Sequence, residues 1–311
     1  MKTSVAIILF NRPDLTEEVF RVVAAARPSH LFLIADGPRA DHPLDRERCA
    51  AARAVVERID WSCDVHRNYA DVNLGCGRRP ASGISWVFEH VDEAIILEDD
   101  CVPHPSFFRY CDEMLERYRD EPRIMLVSGH DAYAPAAGTR SAYSYRVSRL
   151  VDTLGWGTWS RAWKSYDIQV ARWPALRPTL LRRVTTHPAF VTEWTRALDR
   201  AYAERGDVDY WDYQWAMAVW ERDGLAVVPS VNLVANHGFR PDATHTTSPD
   251  DPYARAQVVP MAFPLRHPLG LACDVAADQR AIGRHYARHG PMVYRLVKKL
   301  MRTVRRVSSA R

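Results

Sequence analysis

Glu93-Ala-Ile-Ile-Leu-Glu98-Asp99-Asp100-Cys-Val-Pro103 is the stretch on which the reading of this chain turns. The apolar run Ala94 to Leu97 is short enough for a buried strand, and it stops in three consecutive acids. In open α/β sheets the carboxyl ends of the strands border the ligand crevice, so the triplet stands where a ligand would sit. Adjacent carboxylates repel one another, and a hard divalent cation with oxygen ligands relieves that repulsion. A metal-diphosphate site is the first expectation. A solvated acidic turn is the plain alternative.

Outward from this strand, apolar runs and helical patterns alternate. Strands are expected at Val5 to Phe10, His30 to Ala35, Asp64 to Arg67, Ala94 to Leu97 and Ile124 to Ser128. Helices are expected between them, at Leu15 to Ala26, Asp45 to Ile59, Ala81 to His90 and Ser106 to Arg119. The alternation implies an α/β fold, a mostly parallel central sheet flanked by helices. The second half differs in texture. It holds most of the tryptophans, in Gly155-Trp156-Gly157-Thr158-Trp159 and Trp211-Asp212-Tyr213-Gln214-Trp215 among others. Such aromatic density lines sugar and nucleotide clefts as well as cores. Helices are expected at Val191 to Arg205 and Tyr210 to Arg222, a strand at Leu225 to Pro229, and a loop-rich stretch from Asn236 to Pro268. With no clean linker, one continuous domain is expected over 1–250, its nucleotide half at 1–130 and its acceptor half at 131–250.

With 47% hydrophobic and 26% charged residues over 311 positions, the chain has an ordinary globular composition, and disorder is excluded as its theme. The first apolar stretch, Val5 to Phe10, is too short for a signal peptide, so a cytoplasmic protein is expected, and its six cysteines, lacking any CxxC pair, read as free thiols. The net charge of +4 hides an asymmetry. After Asp278 come ten Lys or Arg and no acid, which leaves about −6 (+4 less ten) on the rest. From Met292 onward, apolar residues recur at helical spacing between basic ones. This C-terminal segment, 251–311, is read as a loop and a basic amphipathic helix suited to an anionic membrane surface, with peripheral attachment to the inner face of the plasma membrane as its consequence. A helix packed on its own domain is the simpler reading. No nucleic-acid motif accompanies the charge, and no nucleic-acid partner is expected.

Several features converge on the carboxyl edge of the expected sheet. Asn11-Arg12 follows the first strand and Asp36-Gly37 the second, while Asn73-Leu-Gly-Cys-Gly-Arg78-Arg79 opens the helix before the acidic strand. A glycine-rich turn with arginines at a helix start suits an anion, and Asp36 is placed to accept from a base or ribose. Each alone is explained by turn chemistry. Together they describe a nucleoside diphosphate held by a cation and arginines.

These residues resemble a known family. The strand ending in Glu98-Asp99-Asp100, with Cys-Val-Pro-His-Pro-Ser-Phe107-Phe108 after it, looks like the metal-binding segment of GT-A fold glycosyltransferases. The likeness is strongest to N-acetylglucosaminyltransferase I-like enzymes and to bacterial HlpA-like putative glycosyltransferases. Leu154-Gly155-Trp156, Trp211-Asp212 and Asn236-His-Gly-Phe-Arg-Pro-Asp-Ala-Thr244-His245-Thr246 match as well, so it spans roughly residues 3 to 250. The resemblance implies Mn²⁺ or Mg²⁺ bound by Asp100, with Glu98 and Asp99 assisting through water or the donor. It implies Arg12, beside Asn11, and Asp36 on the base or ribose, and Arg78 on the diphosphate. Asp212 would be the catalytic base of an inverting transfer, with Asp209 the second choice. His245 would lie on a loop over the diphosphate as a further metal ligand. His237 and Arg240 depart from the pattern, which leaves open which histidine touches the cation.

The implied activity is transfer of a hexosyl or N-acetylhexosaminyl group from a nucleotide sugar, UDP-sugar foremost, to a hydroxyl of a sugar, lipid-linked or small-molecule acceptor. Polysaccharide, glycolipid and secondary-metabolite synthesis all fit. The alternatives are a retaining glycosyltransferase, a membrane-active or non-catalytic sugar-binding protein on the same fold, and a sugar nucleotidyltransferase. The last calls for a glycine-rich basic loop after the first strand, where Phe10-Asn11-Arg12-Pro13-Asp14 stands instead.

Overall fold

A computed structural model describes residues 1–133, 142–240 and 251–288. Its first half runs β1 (Ser4–Leu9), α1 (Pro13–Ala26), β2 (His30–Ala35), α2 (Asp45–Val56), β3 (Asp64–Tyr69), α3 (Gly75–Val87), β4 (Glu93–Glu98), β5 (Cys101–Pro103), α4 (Ser106–Arg117) and β6 (Ile124–Ser128). Next come β7 (Tyr145–Ser148), β8 (Trp156–Trp159) and three short helices, α5 (Ser160–Trp163), α6 (Trp173–Leu176) and α7 (Leu180–Val184). The chain continues through α8 (Pro188–Ala203), α9 (Asp212–Glu221), β9 (Leu225–Pro229), β10 (Val234–Asn236), α10 (Pro252–Arg255) and α11 (Val275–Arg288).

An eight-stranded sheet in the order β3-β2-β1-β4-β8-β6-β9-β7 forms the centre. β3, β2, β1 and β4 are parallel neighbours, as are β6 and β9, while β8 runs against β4 and β6, and β7 against β9. The expected mostly parallel sheet flanked by helices is the observed one. β1, β2, β4, β6 and β9 are buried at almost every position because both faces of the sheet are covered there, whereas the edge strand β3 is polar and partly exposed. Along β4, Ala94 and Ile96 enter the core shared with α3, α8 and α9, whereas Ile95 and Leu97 enter the core shared with α1, α2 and α4. β1 divides in the same way, Ala6 and Ile8 to one side and Val5, Ile7 and Leu9 to the other.

Strand order reverses direction at β1, with β2 on one side and β4 on the other. That switch point places the loops after β1 and β4 side by side: Ile8 pairs with Glu98, and Leu9 with Ala35. A separate antiparallel ribbon pairs β5 with β10, Cys101 opposite Asn236.

Two boundaries differ from the sequence reading. α3 begins at Gly75 rather than near Ala81, because the Asp36 carboxylate accepts from the Leu74 and Gly75 amides at 2.8 and 3.0 Å and organises the first turn. The stretch after residue 250 is also integrated into the body: Asp278 on α11 accepts from Ser148 Oγ at 2.6 Å and from the Arg149 amide at 2.9 Å. The basic helix expected from Met292 lies outside the described residues. Among the described residues no helix is long and apolar enough to cross a membrane. All six cysteines are free thiols.

Candidate active site

At the switch point Arg12 bridges the acids. Its Nη2 and Nε donate to Asp99, and its Nη1 lies 3.0 Å from Asp100 Oδ2. Asp99 is buried and Asp100 partly open. Burial acts to lower the pKa of Arg12, but the charges of Asp99, Asp100 and Glu98 outweigh it and hold the guanidinium firmly protonated. The converse holds for the carboxylates. Burial pushes both Glu98 and Asp99 up; the charges of Asp100 and Asp99 add to the effect at Glu98, and Arg12 works against it at both. Three acids against one arginine leave the cluster short of positive charge.

That shortage is the test of whether a cation fits. Among the described residues no three His, Cys, Asp or Glu side chains converge into a closed metal cage. Mg²⁺ and Mn²⁺ in nucleotide sites do not need one, since one or two carboxylates share the ion with substrate phosphates and water. Asp100, partly open and with its second oxygen receiving only a 3.5 Å thiol contact from Cys101, is suited to that open arrangement. His245 lies outside the described residues. His237 turns away from the cluster, its Nδ1 2.6 Å from Glu18 on α1, while Arg240 pairs with Asp14. The backbone of that segment nonetheless reaches the acids. The His237 amide donates to the Asp100 carbonyl at 2.9 Å, and a Cβ on Gly238 would stand 2.2 Å from Asp100 Oδ2.

The other expected donor-site residues are distributed less simply. Asn11 donates to Asp45 Oδ1 at 2.7 Å, and Asp45 is also gripped by Arg39 at 2.6 Å. That arginine, more than offsetting burial, holds the Asp45 carboxyl down at about 2. Asp36 corrects the sequence reading. Its two oxygens are engaged by the amides of Gly37, Leu74 and Gly75 and by Asn73 Nδ2, so they shape the turn instead of facing a base or ribose. Of the two arginines on α3, Arg79 is buried and donates to Asn68, whereas Arg78 is exposed, 3.3 Å from Asp207.

α3 is held against the Asp207–Tyr210 loop at very short range. A Cβ on Gly77 would meet the Val208 carbonyl at 2.0 Å, so only glycine fits, and Cys76 Sγ donates to the Asp209 carbonyl at 3.0 Å. This contact brings the expected bases beside the acidic strand. Asp212 opens α9, and its charge is felt at Glu98; Asp209 pairs with Arg200 at 3.1 Å. Glu98, Asp209 and Asp212 line one cavity of about 480 Å³, which continues between aromatic walls that include Trp194, Trp211, Trp220 and Tyr213. Trp156, Trp159 and Trp215 are core residues instead. The cavity also holds residues the sequence reading passed over, among them His130, Asp152, Glu193 and Tyr253. His130 had a usable signal, since it follows β6 as Arg12 follows β1. Asp152, Glu193 and Tyr253 had none.

No protein-family model and no curated protein sequence matches the chain. Among solved structures, it is similar to the galactosyltransferase LgtC in complex with donor and acceptor sugar analogues, at 12% identity, covering 91% of this chain and 96% of that one with a TM-score of 0.39. It is similar to mouse xyloside xylosyltransferase 1 at 9% identity, covering 71% and 82% with a TM-score of 0.35. UDP-glucose pyrophosphorylase complexed with UDP-glucose matches at 10% identity, covering 49% of this chain and 65% of its own with a TM-score of 0.28. At TM-scores this low the likenesses carry no argument, and the functional reading rests on the geometry of the site.

Proposed function

We propose that the protein is a metal-dependent, inverting GT-A glycosyltransferase that moves a sugar from a nucleoside diphosphate sugar to an acceptor hydroxyl. The observation that carries this reading is the double position of Glu98, which closes the acidic strand at the switch point and lines the cavity that holds Asp212. A charge-binding edge and a space for a second reactant thus share a wall.

In this reading Asp100 holds Mn²⁺ or Mg²⁺, with Glu98 and Asp99 behind it. The ion supplies charge relief to the departing diphosphate. Arg12 keeps Asp99 and Asp100 oriented and adds positive charge beside the leaving group, as preorganised electrostatics. Asn11, its side-chain amide fixed by Asp45, stands at the donor edge. Asp36 positions the start of α3, and Arg78 on that first turn supplies an exposed cation toward the phosphates. Asp212, or failing that Asp209, takes the proton from the acceptor hydroxyl, a role that contributes about 10² to 10⁴ in rate.

The test is calorimetric titration of UDP, GDP, CDP and dTDP into the full chain, with Mn²⁺ and with excess chelator. The expected outcome is tight binding of one nucleotide, UDP foremost, only with the metal. Silence from all four in a folded protein overturns the donor site. Anomer analysis of the product then decides between inversion and retention, and retention removes Asp212 from the role of base.

A further inference from the structure

The His130 end of the cavity combines three features that the transfer reaction itself does not use. The first is a carboxylate excess: Asp131, Asp152 and Asp251 come from three separate segments, and Arg146 is the one Lys or Arg among the described lining residues. Arg146 Nη2 is already committed to Asp131 at 3.2 Å.

The second is an unsatisfied acceptor. His130 Nδ1 lies 2.8 Å from Asp152 Oδ2, and the His130 side chain is 0% exposed. A carboxylate only accepts, so Nδ1 carries the proton of the pair, and in that tautomer Nε2 presents a lone pair. Nε2 is buried without a hydrogen-bond partner, and so is Arg146 Nη1. One wants a donor and the other an acceptor.

The third is aromatic. The Tyr253 ring lies over His130 with centroids 4.9 Å apart, and Tyr133 meets Tyr253 edge-on at 6.3 Å. Burial, with Asp152, Tyr133, Asp131 and Asp251 adding to it, pushes the Tyr253 hydroxyl well above its ordinary pKa, so the field of all three acids converges on one ring.

A group that donates hydrogen bonds, carries positive charge and rests on aromatic faces answers all three at once. We propose that this end of the cavity is an ammonium subsite and that the acceptor is an amine-bearing polyol, an amino sugar or aminocyclitol; this rests on the glycosyltransferase reading above. The ammonium donates to His130 Nε2 and offsets the carboxylates. A hydroxyl on the same ring accepts from Arg146 Nη1. A carboxylated or phosphorylated acceptor would meet like charge and be rejected.

The test is titration of the full chain, without nucleotide or metal, with 2-deoxystreptamine and glucosamine against myo-inositol and N-acetylglucosamine at low salt. The amines are expected to bind at least about tenfold more tightly than the neutral rings. Asp152→Asn and Asp251→Asn should each cost the amines about tenfold and leave the neutral rings unchanged. Asp251 caps the Tyr253 amide at 2.9 Å, and asparagine caps as well, so that variant reads charge even if Asp152→Asn, which releases His130, fails to fold. Equal binding of amine and N-acetylated ring, indifference of amine binding to the Asp251→Asn substitution, or no amine binding overturns the proposal. The nucleotide titration separates this failure from that of the enzyme reading. A chain that binds a nucleotide but no amine loses only the subsite, and one that binds amines but no nucleotide keeps the subsite and loses the transferase.

Discussion

The acidic edge and the aromatic cavity meet at Glu98 and are built in opposite ways. The edge comes from strand ends between Asn11 and Asp100, and its charges are largely paired among themselves, Arg12 to Asp99 and Asp100, and Arg39 to Asp45. The cavity collects side chains from Cys76 to Tyr286, and at its His130 end it leaves polar atoms unpartnered. One region pairs most of its charges within the protein and lacks only a positive charge beside Asp100, and the other leaves polar atoms for what enters it. A site whose charges are already largely paired must exchange partners on binding, so its substitutions should show in stability as well as affinity. A site with open valences should show mainly in affinity and rate.

The largest effect should come from the cavity side of Glu98. Asp212→Asn is expected to lower transfer by about 10² to 10⁴ while metal-dependent nucleotide binding stays within about twofold, measured by initial rates and calorimetry. An unchanged rate would break the division of labour between the two regions.

Arg12→Gln should act on folding itself. Asp99 would remain buried without its counter-charge, a loss of about 3–5 kcal/mol in urea unfolding near neutral pH. A variant as stable as the parent would mean that the edge is less self-contained than its ion pairs imply.

Gly238→Ala sharpens the comparison, since residue 238 is remote in sequence yet its backbone lies against Asp100. The added methyl must displace the carboxylate, and Mn²⁺-dependent nucleotide affinity should fall by about 10 to 100-fold with little change in melting temperature. Asp45→Asn should be gentler and dependent on pH. The folded Asp45 titrates near 2, below its unfolded value, so the stability it contributes is present above about pH 4 and disappears as pH falls toward 2. Allowing for the half-open Arg39, the parent should exceed the variant by about 1–2 kcal/mol at pH 6, with the two urea curves merging near pH 2.

The same contrast explains what could be read in advance. Alternating apolar runs located β1, β2, β4, β6 and β9, and the rule about strand ends then brought Arg12 to the acids without any knowledge of contacts. It failed for Asp36 because one carboxylate at a strand end serves a ligand or a turn equally well, and only the amides of Leu74 and Gly75 decide between them. The short β8 was missed, since Trp156-Gly-Thr-Trp159 has too few positions to show a period. α11 lay hidden beside a charge asymmetry that drew the reading further downstream. The His130–Asp152 pair joins positions 22 residues apart on separate loops, and nothing local announces it.

The position of β8 between β4 and β6 bears on how the chain is made. β4 and β6 emerge from the ribosome well before Trp159, yet they cannot pair through the sheet until the strand between them arrives. For that interval the apolar β4 presents an open edge, the kind of surface that recruits a second copy. The first 150 residues are therefore no portable module. A fragment ending at residue 150 should aggregate where one ending beyond the last strand of the sheet stays dispersed, and sedimentation of the two would show whether the edge is as sticky in practice as its topology implies.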